Sequence, residues 1–449
     1  MRALRRVSLV TPKKPCATLM RTFFIACFLL LIAAPSSGQD LVNQIADALE
    51  PKVIEWRRDF HQNPELSNRE FRTAGIVAAH LRGLGMEVTT EVAFTGVVGI
   101  LKGAFPGPTV ALRADMDALP VKERVDLSFK SEVTSLYRGE EVPVMHACGH
   151  DTHVAMLMGA AEALAGMKDQ LHGTIKFIFQ PAEEGPPPGE EGGAELMVKE
   201  GVMEGVDVVF GLHISADTYV GTLEYRPKGM MAAVDDFRIV VNGKQAHGSA
   251  PWLGVDPIVT AAQIVNNLQT IVSRSLELTK AAAVVTVGAI HGGVRSNIIP
   301  EELEMIGTIR TFDPEMREKL HARFRTIVSN TAASNGATAD IQLPYSAHYP
   351  VTFNDPALTS QMLETLERTA GKDNVELIDA ITGAEDFSFF ANEVPGLFLF
   401  VGGKPLSVPA DVNVSHHTPD FYIDESGMKL GLRTLMNLAL DYMDKASTQ

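Results

Sequence analysis

The chain has 449 residues, of which 45% are apolar, and carries 39 lysines and arginines against 55 aspartates and glutamates, a formal net charge of −16. This composition excludes wholesale disorder and allows a sizeable core, and the length is typical of two domains. The excess of negative charge disfavours nucleic acid and anionic membranes as partners.

The first 38 residues resemble a targeting segment. They contain six basic residues and no acidic residue, with 12 consecutive apolar residues at 23–34 and small residues up to Gly38. This run is short for a membrane span and typical of a signal peptide, so we expect cleavage before Gln39 and an exported protein, periplasmic or secreted. Two alternatives stay open, namely a start at Met20 and an uncleaved membrane anchor. Cleavage would leave 33 basic against 55 acidic residues, a charge of −22, and one cysteine, Cys148, which excludes a disulfide framework.

Helices and strands alternate over residues 39–229, the first part of a predicted catalytic domain. Helices are predicted at 40–50, from Pro51 to Phe60 and at 70–84, with a turn at 61–67, followed by strands at 86–88, 97–101 and 109–112. A helix from Val154, a strand at 173–180, a helix at 194–200 and a strand at 207–210 continue the alternation. The pattern is typical of a mixed, mostly parallel sheet with helices on both faces, an α/β fold.

The pattern changes over residues 230–345. Strands are predicted at 234–241, 283–290, 303–310 and 339–343, and helices at 256–276 and 313–334, the second opened by Asp313 and Pro314. The order β-α-β-β-α-β is a split βαβ unit. We interpret it as an α+β lid or dimerisation domain inserted into the catalytic domain, to which residues 346–449 return.

Residues 145–153, with the sequence MHACGHDTH, concentrate metal-binding side chains where a loop enters a helix. The free N–H groups and the dipole of a helix start favour a thiolate at Cys148, two residues from His150. A thiolate beside an imidazole suits a borderline-soft divalent metal. Each histidine taken singly is better explained as a polar residue at a helix start, but the same ligand chemistry recurs at three later places and favours a metal site.

The later clusters follow the ends of predicted strands, and their sequences are PAEEG at 181–185, GLH at 211–213 and SHHTPDF at 415–421. Because strand carboxyl ends meet at one edge of an open α/β sheet, we expect a set of later and earlier polar residues to converge with Cys148 and His150, namely Asp115, Glu183, Glu184 and His213. Neighbouring glutamates at a strand end point different ways, so one can bind metal while the other acts as general base. With a histidine from 415–421, the set supplies five ligands and one base, enough for a two-metal site that activates water.

Seven motifs in this order resemble the aminoacylase/carboxypeptidase family of two-metal amidohydrolases. The closest subgroup contains hippurate hydrolases, N-acyl-amino-acid amidohydrolases and auxin-conjugate hydrolases. The resemblance extends from Trp56 to Phe421, and its motifs are HQNPEL (61–66), RADMDALP (113–120), HACGHD (146–151), PAEE (181–184), GLH (211–213), AHGSAP (246–251) and GAEDF (383–387). One departure is PPPGEE at 186–191, which family members usually lack and which could reshape the pocket beside Glu183.

The resemblance implies two divalent metal ions per subunit, zinc or manganese in the first place and otherwise cobalt or nickel. Cys148 would bridge the two ions, and Glu183 would be the general base. The remaining ligands would be His150, Glu184, His213 and His417. The spacing to residues 418–421 favours His417 over the adjacent His416.

The resemblance also implies a homodimer, in which His247 of the inserted domain reaches the active site of the other subunit and polarises the scissile carbonyl. Asn297 matches a residue that holds the substrate near its carboxylate, although a turn residue explains it equally well. Arg310 is a further candidate for substrate binding.

These implications give an enzyme that cleaves N-acyl amino acids to a carboxylic acid and a free amino acid by attack of metal-activated water. A dipeptidase or carboxypeptidase with the same metal chemistry is the alternative, and a non-catalytic binding protein is another. The expected partner is a small molecule, with neither nucleic acid nor, after leader cleavage, a membrane. For other polar residues we prefer structural interpretations: His61 orders a turn, His146 and His153 are structural, and Asp115 orients a ligand.

Overall fold

The computed structural model describes residues 38–346, 348–412 and 414–447. The predicted signal segment therefore lies outside the described residues, apart from its last residue. None of the helices in the described part of the chain combines the length and the apolar character that crossing a membrane requires.

The helices and strands are numbered in chain order. The helices are α1 (Gly38–Gln62), α2 (Phe71–Gly83), α3 (His150–Gly166), α4 (Gly193–Lys199), α5 (Pro257–Thr270), α6 (Pro314–Ser334), α7 (Pro356–Ala370), α8 (Phe387–Glu393) and α9 (Met428–Ser447). The strands are β1 (Glu87–Val92), β2 (Gly96–Lys102), β3 (Phe105–Asp115), β4 (Thr134–Tyr137), β5 (Glu140–Pro143), β6 (His172–Gln180), β7 (Val208–Tyr219), β8 (Leu223–Tyr225), β9 (Lys228–Met231), β10 (Ala233–Asn242), β11 (Ala246–His247), β12 (Ala283–Gly292), β13 (Ile298–Ile299), β14 (Glu302–Thr311), β15 (Thr338–Gln342), β16 (His348–Tyr349), β17 (Thr352–Asn354), β18 (Val375–Leu377) and β19 (Gly396–Lys404).

The larger sheet has eight strands in the order β1-β2-β6-β3-β7-β19-β8-β18. Its central strands β6, β3, β7 and β19 are parallel, whereas β1 and β2 are joined antiparallel at one edge and β8 pairs antiparallel with β19. The predicted mixed, mostly parallel sheet is confirmed.

Both faces of this sheet are covered, as the alternation along β3 illustrates. Val110 and Leu112 belong to the core shared with α1, α3 and α9, whereas Ala111 between them belongs to the core shared with α4 and α8. Successive side chains of a strand point to opposite faces, so burial on both sides gives the continuous apolar run seen in the sequence.

The second sheet has the order β12-β14-β10-β15, with β16 also paired to β10, and all its pairings are antiparallel. Helices α5 and α6 pack on one face, over a core that includes Phe237, Ile264 and Phe324. The predicted β-α-β-β-α-β order is confirmed, while the domain boundaries at 230 and 345 stay a prediction.

Three helix starts in the second half of the chain, those of α5, α6 and α7, follow one chemical rule. Asp256, Asp313 and Asp355 each precede a proline and accept hydrogen bonds from N–H groups of the first turn, at 2.7–3.2 Å. Proline at the first helical position loses nothing because its missing N–H would have been unpaired.

Several sequence-based boundaries are wrong. Residues 40–60 form one helix, α1, with Pro51 inside it, because Val42, Ala46, Val53 and Phe60 are buried in the same core and packing outweighs the lost hydrogen bond. Strands β3 and β7 are longer than predicted. Helix α9, the last helix of the chain, packs on the larger sheet and was not predicted.

The interpretation of His61 as a turn residue is also wrong. It lies in the last turn of α1, with Nδ1 2.9 Å from Asp151 and Nε2 3.2 Å from Glu123, and Arg57 also contacts Asp151. Burial opposes protonation, but Asp151 and Glu123 outweigh it and raise the pKa of His61. His61 therefore joins α1 to α3 and to the loop after β3 through a buried ionic network.

Candidate metal centre and catalytic site

The candidate ligands lie at the carboxyl edge of the larger sheet. Strands β3 and β6 end together, with Asp115 paired to Gln180, and the pairing of β3 with β7 stops at Gly211. Residue His213 lies inside β7, not after its end as predicted, because β7 continues beyond β3 while pairing with β19. Helix α3 begins at the same edge with His150.

Cys148 is at the centre of one group of donors. Its buried Sγ lies 3.3 Å from Nε2 of His213 and 3.2 Å from Nε2 of His417. The same nitrogen of His417 lies 3.1 Å from Oε1 of Glu184. Two sets of donors close enough to hold a cation therefore share Cys148, one with Glu184 and His417 and the other with His213 and His416.

A second group adjoins the first through Glu184. Nε2 of His150 lies 4.0 Å from Oε1 of Glu184 and 3.8 Å from Oε2 of Glu183. Nε2 of His150 is buried and has no hydrogen-bond partner among the described residues. An unsatisfied buried nitrogen is costly, so one that faces two carboxylates fits a site for a cation.

The other ring nitrogen of two candidate histidines, His150 and His213, is fixed by an oxygen acceptor. Nδ1 of His213 lies 2.6 Å from the carbonyl of Ile214, and Nδ1 of His150 lies 2.9 Å from the carbonyl of Asp117. A proton on Nδ1 donates to these oxygens and leaves Nε2 with a free lone pair directed at the site.

His416 and His417 differ in what their nitrogens face. In His416, Nε2 accepts a hydrogen bond from the Ala216 N–H at 3.1 Å, and Nδ1 lies 3.1 Å from the carbonyl of Cys148. Both nitrogens are thereby occupied, and burial, together with the neighbouring His417, lowers the pKa of His416 to about 4. His417 keeps Nε2 toward Cys148 and Glu184, which favours it as the ligand.

The electrostatics of the group fit divalent cations. Burial, followed by the carboxylates of Glu184 and Glu183, raises the pKa of the Cys148 thiol well above its usual range. Burial would lower the pKa of His150, but Asp115 and Asp117 outweigh it and raise that pKa to about 10. Protons therefore occupy positions where a metal ion would replace them, because a cation stabilises both a thiolate and a neutral imidazole.

Asp117 organises both groups, a role that the sequence reasoning missed. Its Oδ1 lies 3.2 Å from Nδ1 of His150 and accepts the N–H of Glu183 at 3.2 Å. Its Oδ2 accepts the N–H of Glu184 at 3.0 Å and the hydroxyl of Ser67 at 2.7 Å. One buried carboxylate thus orients a candidate ligand and the turn that carries both glutamates.

Asp115 was expected to orient a ligand, but its closest contacts lie elsewhere. Its Oδ1 lies 2.6 Å from Nδ1 of His153 and its Oδ2 lies 2.7 Å from the guanidinium of Arg113, whereas Nε2 of His150 is 3.8 Å away. Nε2 of His153 accepts the Ile214 N–H at 2.8 Å. Both nitrogens of His153 are therefore occupied, in agreement with its structural interpretation. His146 is also buried.

Glu183 lies beside an acidic network around one buried guanidinium. Arg113 contacts Glu385 at 2.8 Å and Asp386 at 3.0 Å, and its Nε donates to Gln180 at 2.7 Å. Burial, with Glu385 and Glu184 nearby, raises the pKa of Glu183 well above its usual range. A carboxyl group with a raised pKa can both accept and return a proton, as general acid–base catalysis requires.

The three site residues predicted within residues 230–345 do not lie together in the structure. Arg310, on β14, lines a cavity of about 1660 Å³ together with Cys148, Glu183 and Glu184. His247 and Asn297 do not line this cavity. They lie beside each other where β11 pairs with β13, and the N–H of Gly248 donates to the carbonyl of Asn297 at 2.8 Å.

The ring of His247 is exposed, and its local hydrogen bonds leave Nε2 as the donor nitrogen. Its Nδ1 accepts the N–H of Ser249 at 3.1 Å and lies 2.7 Å from the hydroxyl of the same residue. A neutral imidazole that accepts at Nδ1 carries its proton on Nε2, which is the nitrogen left to donate.

Comparison with known proteins agrees with this geometry. A family model described as peptidase family M20/M25/M40 matches residues 111–441. The chain belongs to this peptidase family. It is 42% identical over 410 residues to thermostable carboxypeptidase 2 of Saccharolobus solfataricus, with 90% of this chain and 100% of the relative covered. It is 37% identical to N-acetyl-L-cysteine deacetylase of Bacillus subtilis, with 85% of each chain covered.

A solved structure of a dinuclear metal-binding M20 peptidase from Bacillus subtilis matches with a TM-score of 0.72 and 32% identity, covering 89% of this chain and 99% of that one. The family predicted from the motifs is confirmed, and so is its α/β fold. The protein is a metal-dependent hydrolase of amide bonds.

Proposed function

We propose that the protein hydrolyses N-acyl amino acids to a carboxylic acid and a free amino acid, with two divalent metal ions per subunit. The observation that supports this most directly is the convergence of five donors of the right chemistry, from four separate parts of the chain, beside a sixth side chain, the carboxyl group of Glu183, that can act as base.

In this proposal the ions are held by Cys148, His150, Glu184, His213 and His417. Zinc and manganese suit a set of one sulfur, three nitrogen and carboxylate donors. When bound, such ions supply Lewis-acid polarisation of the substrate carbonyl and of water. The Cys148 sulfur is central to its group, so it is the donor best placed to be shared.

Glu183 is the proposed general base. It accepts a proton from the attacking water and passes the proton to the leaving amine, so one carboxyl group serves as base and then as acid. Asp117 holds the main-chain N–H groups of both glutamates, and both carboxylates lie near Nε2 of His150, at 3.8 and 4.0 Å. Glu184 also lies 3.1 Å from His417, which supports Glu184 as the ligand and Glu183 as the base.

We propose a homodimer in which His247 acts on the substrate of the other subunit. His247 and Asn297 lie together on the inserted domain, outside the cavity of their own chain, and His247 is exposed with Nε2 free to donate. A donor of this kind can stabilise an oxyanion on a carbonyl. Arg310 in the cavity is suited to hold the substrate carboxylate by a bidentate contact.

The division of roles is tested by comparing Glu183→Gln with Glu184→Gln. Glu183→Gln should keep both metal ions and lose about 10²–10⁴-fold or more in turnover, since proton transfer is removed but the ligands stay. Glu184→Gln should lose metal as well as rate, because an amide is a weaker ligand. Metal loss in Glu183→Gln with retention in Glu184→Gln would reverse the roles, and near-normal turnover of Glu183→Gln would reject the mechanism.

A substrate screen separates this function from its alternative, which the carboxypeptidase relative favours. N-acetyl and N-benzoyl amino acids are compared with free dipeptides and with N-blocked peptides, each with zinc, manganese, cobalt or nickel added. We expect the highest kcat/KM with N-acyl amino acids. A preference for peptides would indicate a dipeptidase or carboxypeptidase, and metal binding without turnover of any compound would indicate a binding protein.

We also propose that the protein is exported to the periplasm or secreted. The support is the order of basic, apolar and small residues before Gln39.

A further inference from the structure

The turn that carries the proposed base has an unfavourable backbone conformation. Ala182, immediately before Glu183, has a φ of 52°, and Gly185 has a φ of 99°. A residue with a Cβ is rarely stable in this left-handed region unless surrounding contacts hold it there. The position of Glu183 therefore depends on what holds residues 182–185.

Two carboxylates, one just before α2 and one just after β3, hold the N–H groups of this turn. Glu70 accepts the N–H of Ala182 at 2.9 Å, and Asp117 accepts the N–H groups of Glu183 and Glu184 at 3.2 and 3.0 Å. These contacts fix one side of the peptide chain and leave the carbonyl of Glu183 to another partner.

That partner is Tyr349, whose hydroxyl donates to the Glu183 carbonyl at 2.9 Å. Tyr349 belongs to β16, which pairs with β10 of the second sheet through Val234, and its ring lies edge-on to Phe389 at 6.2 Å between centroids. Burial, together with the neighbouring acidic groups Asp386 and Glu183, raises the pKa of Tyr349 well above its usual range, so the hydroxyl remains a donor. Through this contact, strand β16 of the second sheet meets residues 182–185, the turn that carries the proposed base.

We propose that Tyr349 is a positioning residue that holds the peptide of Glu183 and links the orientation of this carboxyl group to the second sheet. The inference rests on the proposed role of Glu183 as general base. Without the hydroxyl, the Glu183 carbonyl has no hydrogen-bond partner among the residues that the structure describes, and the turn can relax from the strained conformation at Ala182. The carboxyl group of Glu183 would then spend less time in its productive orientation, which lowers kcat without weakening substrate or metal binding.

The test is Tyr349→Phe, which removes one oxygen and keeps the ring against Phe389. Tyr219→Phe is the matched control, because the Tyr219 hydroxyl also donates to a main-chain carbonyl, that of Val408, at 2.9 Å. Both variants lose one neutral hydrogen bond and should lower the unfolding temperature by similar small amounts. Only Tyr349→Phe should lower kcat, by about 3- to 10-fold, with KM and bound metal unchanged. Hydrogen–deuterium exchange should increase at residues 182–185 in Tyr349→Phe alone.

Three outcomes would overturn the inference. The first is a kcat of Tyr349→Phe within about twofold of the wild-type value, and the second is an equal fall of kcat in Tyr219→Phe. The third is a normal Tyr349→Phe beside a defective Tyr349→Ala, because ring packing would then be responsible. Glu183→Gln is measured alongside: if it is inactive while Tyr349→Phe is normal, only this inference fails, whereas an active Glu183→Gln rejects the proposed base itself.

Discussion

Replacing Arg113 by methionine tests the buried acidic network next to the proposed base. The guanidinium is buried and contacts three carboxylates, with distances of 2.7 Å to Asp115, 2.8 Å to Glu385 and 3.0 Å to Asp386. Methionine has a similar length, so Arg113→Met removes the charge and its hydrogen bonds while it fills most of the volume. In this variant the three buried carboxylates no longer have a common cationic partner.

The expected loss of folding stability in Arg113→Met depends on pH. Removing one partner of a buried ion pair costs about 3–5 kcal/mol, because the remaining charge stays uncompensated. Burial raises the pKa of Asp386 to about 8 even though Arg113 opposes the shift. With a raised pKa in the folded state, Asp386 stabilises the fold below the pKa of an unfolded aspartate, about 4, and this stabilisation is lost as the pH rises through about 8. Near neutral pH and below, Asp386 is already protonated, so removing Arg113 should lower the free energy of unfolding by a smaller amount there.

Urea unfolding of wild type and Arg113→Met at about pH 6 and about pH 9 measures both effects. We expect the difference in unfolding free energy to reach about 3–5 kcal/mol at the higher pH and to be smaller at the lower pH. The control is Arg72→Met, which breaks an exposed pair with Asp59, with two contacts of 2.8 Å, and should cost only about 0.2–1 kcal/mol at either pH. A stable Arg113→Met at the higher pH, or a loss that does not shrink on acidification, would refute this account of the network.

Three further predictions follow from the proposed function. Cys148→Ser should lose metal and activity together, since a hydroxyl is a far poorer anionic ligand than a thiolate, and metal analysis showing two ions with normal turnover would exclude Cys148 as a ligand. Mixing the inactive variants His247→Ala and Glu183→Gln should restore part of the activity in mixed dimers, and no recovery in demonstrated mixed dimers would indicate that His247 acts within its own chain or is structural. N-terminal sequencing of the exported protein should find Gln39 or a residue close to it, and an intact segment 23–34 would contradict signal cleavage.

The sequence predicted the features that depend on local pattern. The alternation of strands and helices led to a parallel central sheet, and the strand ends led to the convergence of Glu183, Glu184 and His213 with residues 145–153. The β-α-β-β-α-β order of the second sheet was predicted from periodicity and from the Asp-Pro helix starts. Each of these inferences needs only the side-chain period and the fact that parallel strands end at one edge.

The features that were missed depend on contacts between distant segments. Arg113 meets Glu385 from 272 residues away, and Tyr349 meets Glu183 from 166 residues away. Neither pair carries a local signal of its contact, since an arginine and a tyrosine in strands are ordinary residues. The motif RADMDALP did contain a signal for Asp117, because an acidic residue just beyond a strand end lies at the edge where ligands gather, but only the folded chain shows that it faces His150.

The choice among neighbouring histidines follows from the main chain. His150 and His213 each direct Nδ1 to a carbonyl oxygen and keep Nε2 free. His153 and His416 instead accept main-chain N–H groups of β7, from Ile214 and Ala216. Both N–H groups lie beyond the point where the pairing of β3 with β7 stops, so an imidazole takes the place of a strand partner. The length difference between two adjacent strands therefore determines which imidazoles accept a main-chain N–H of β7, and this difference is not visible in the residue types.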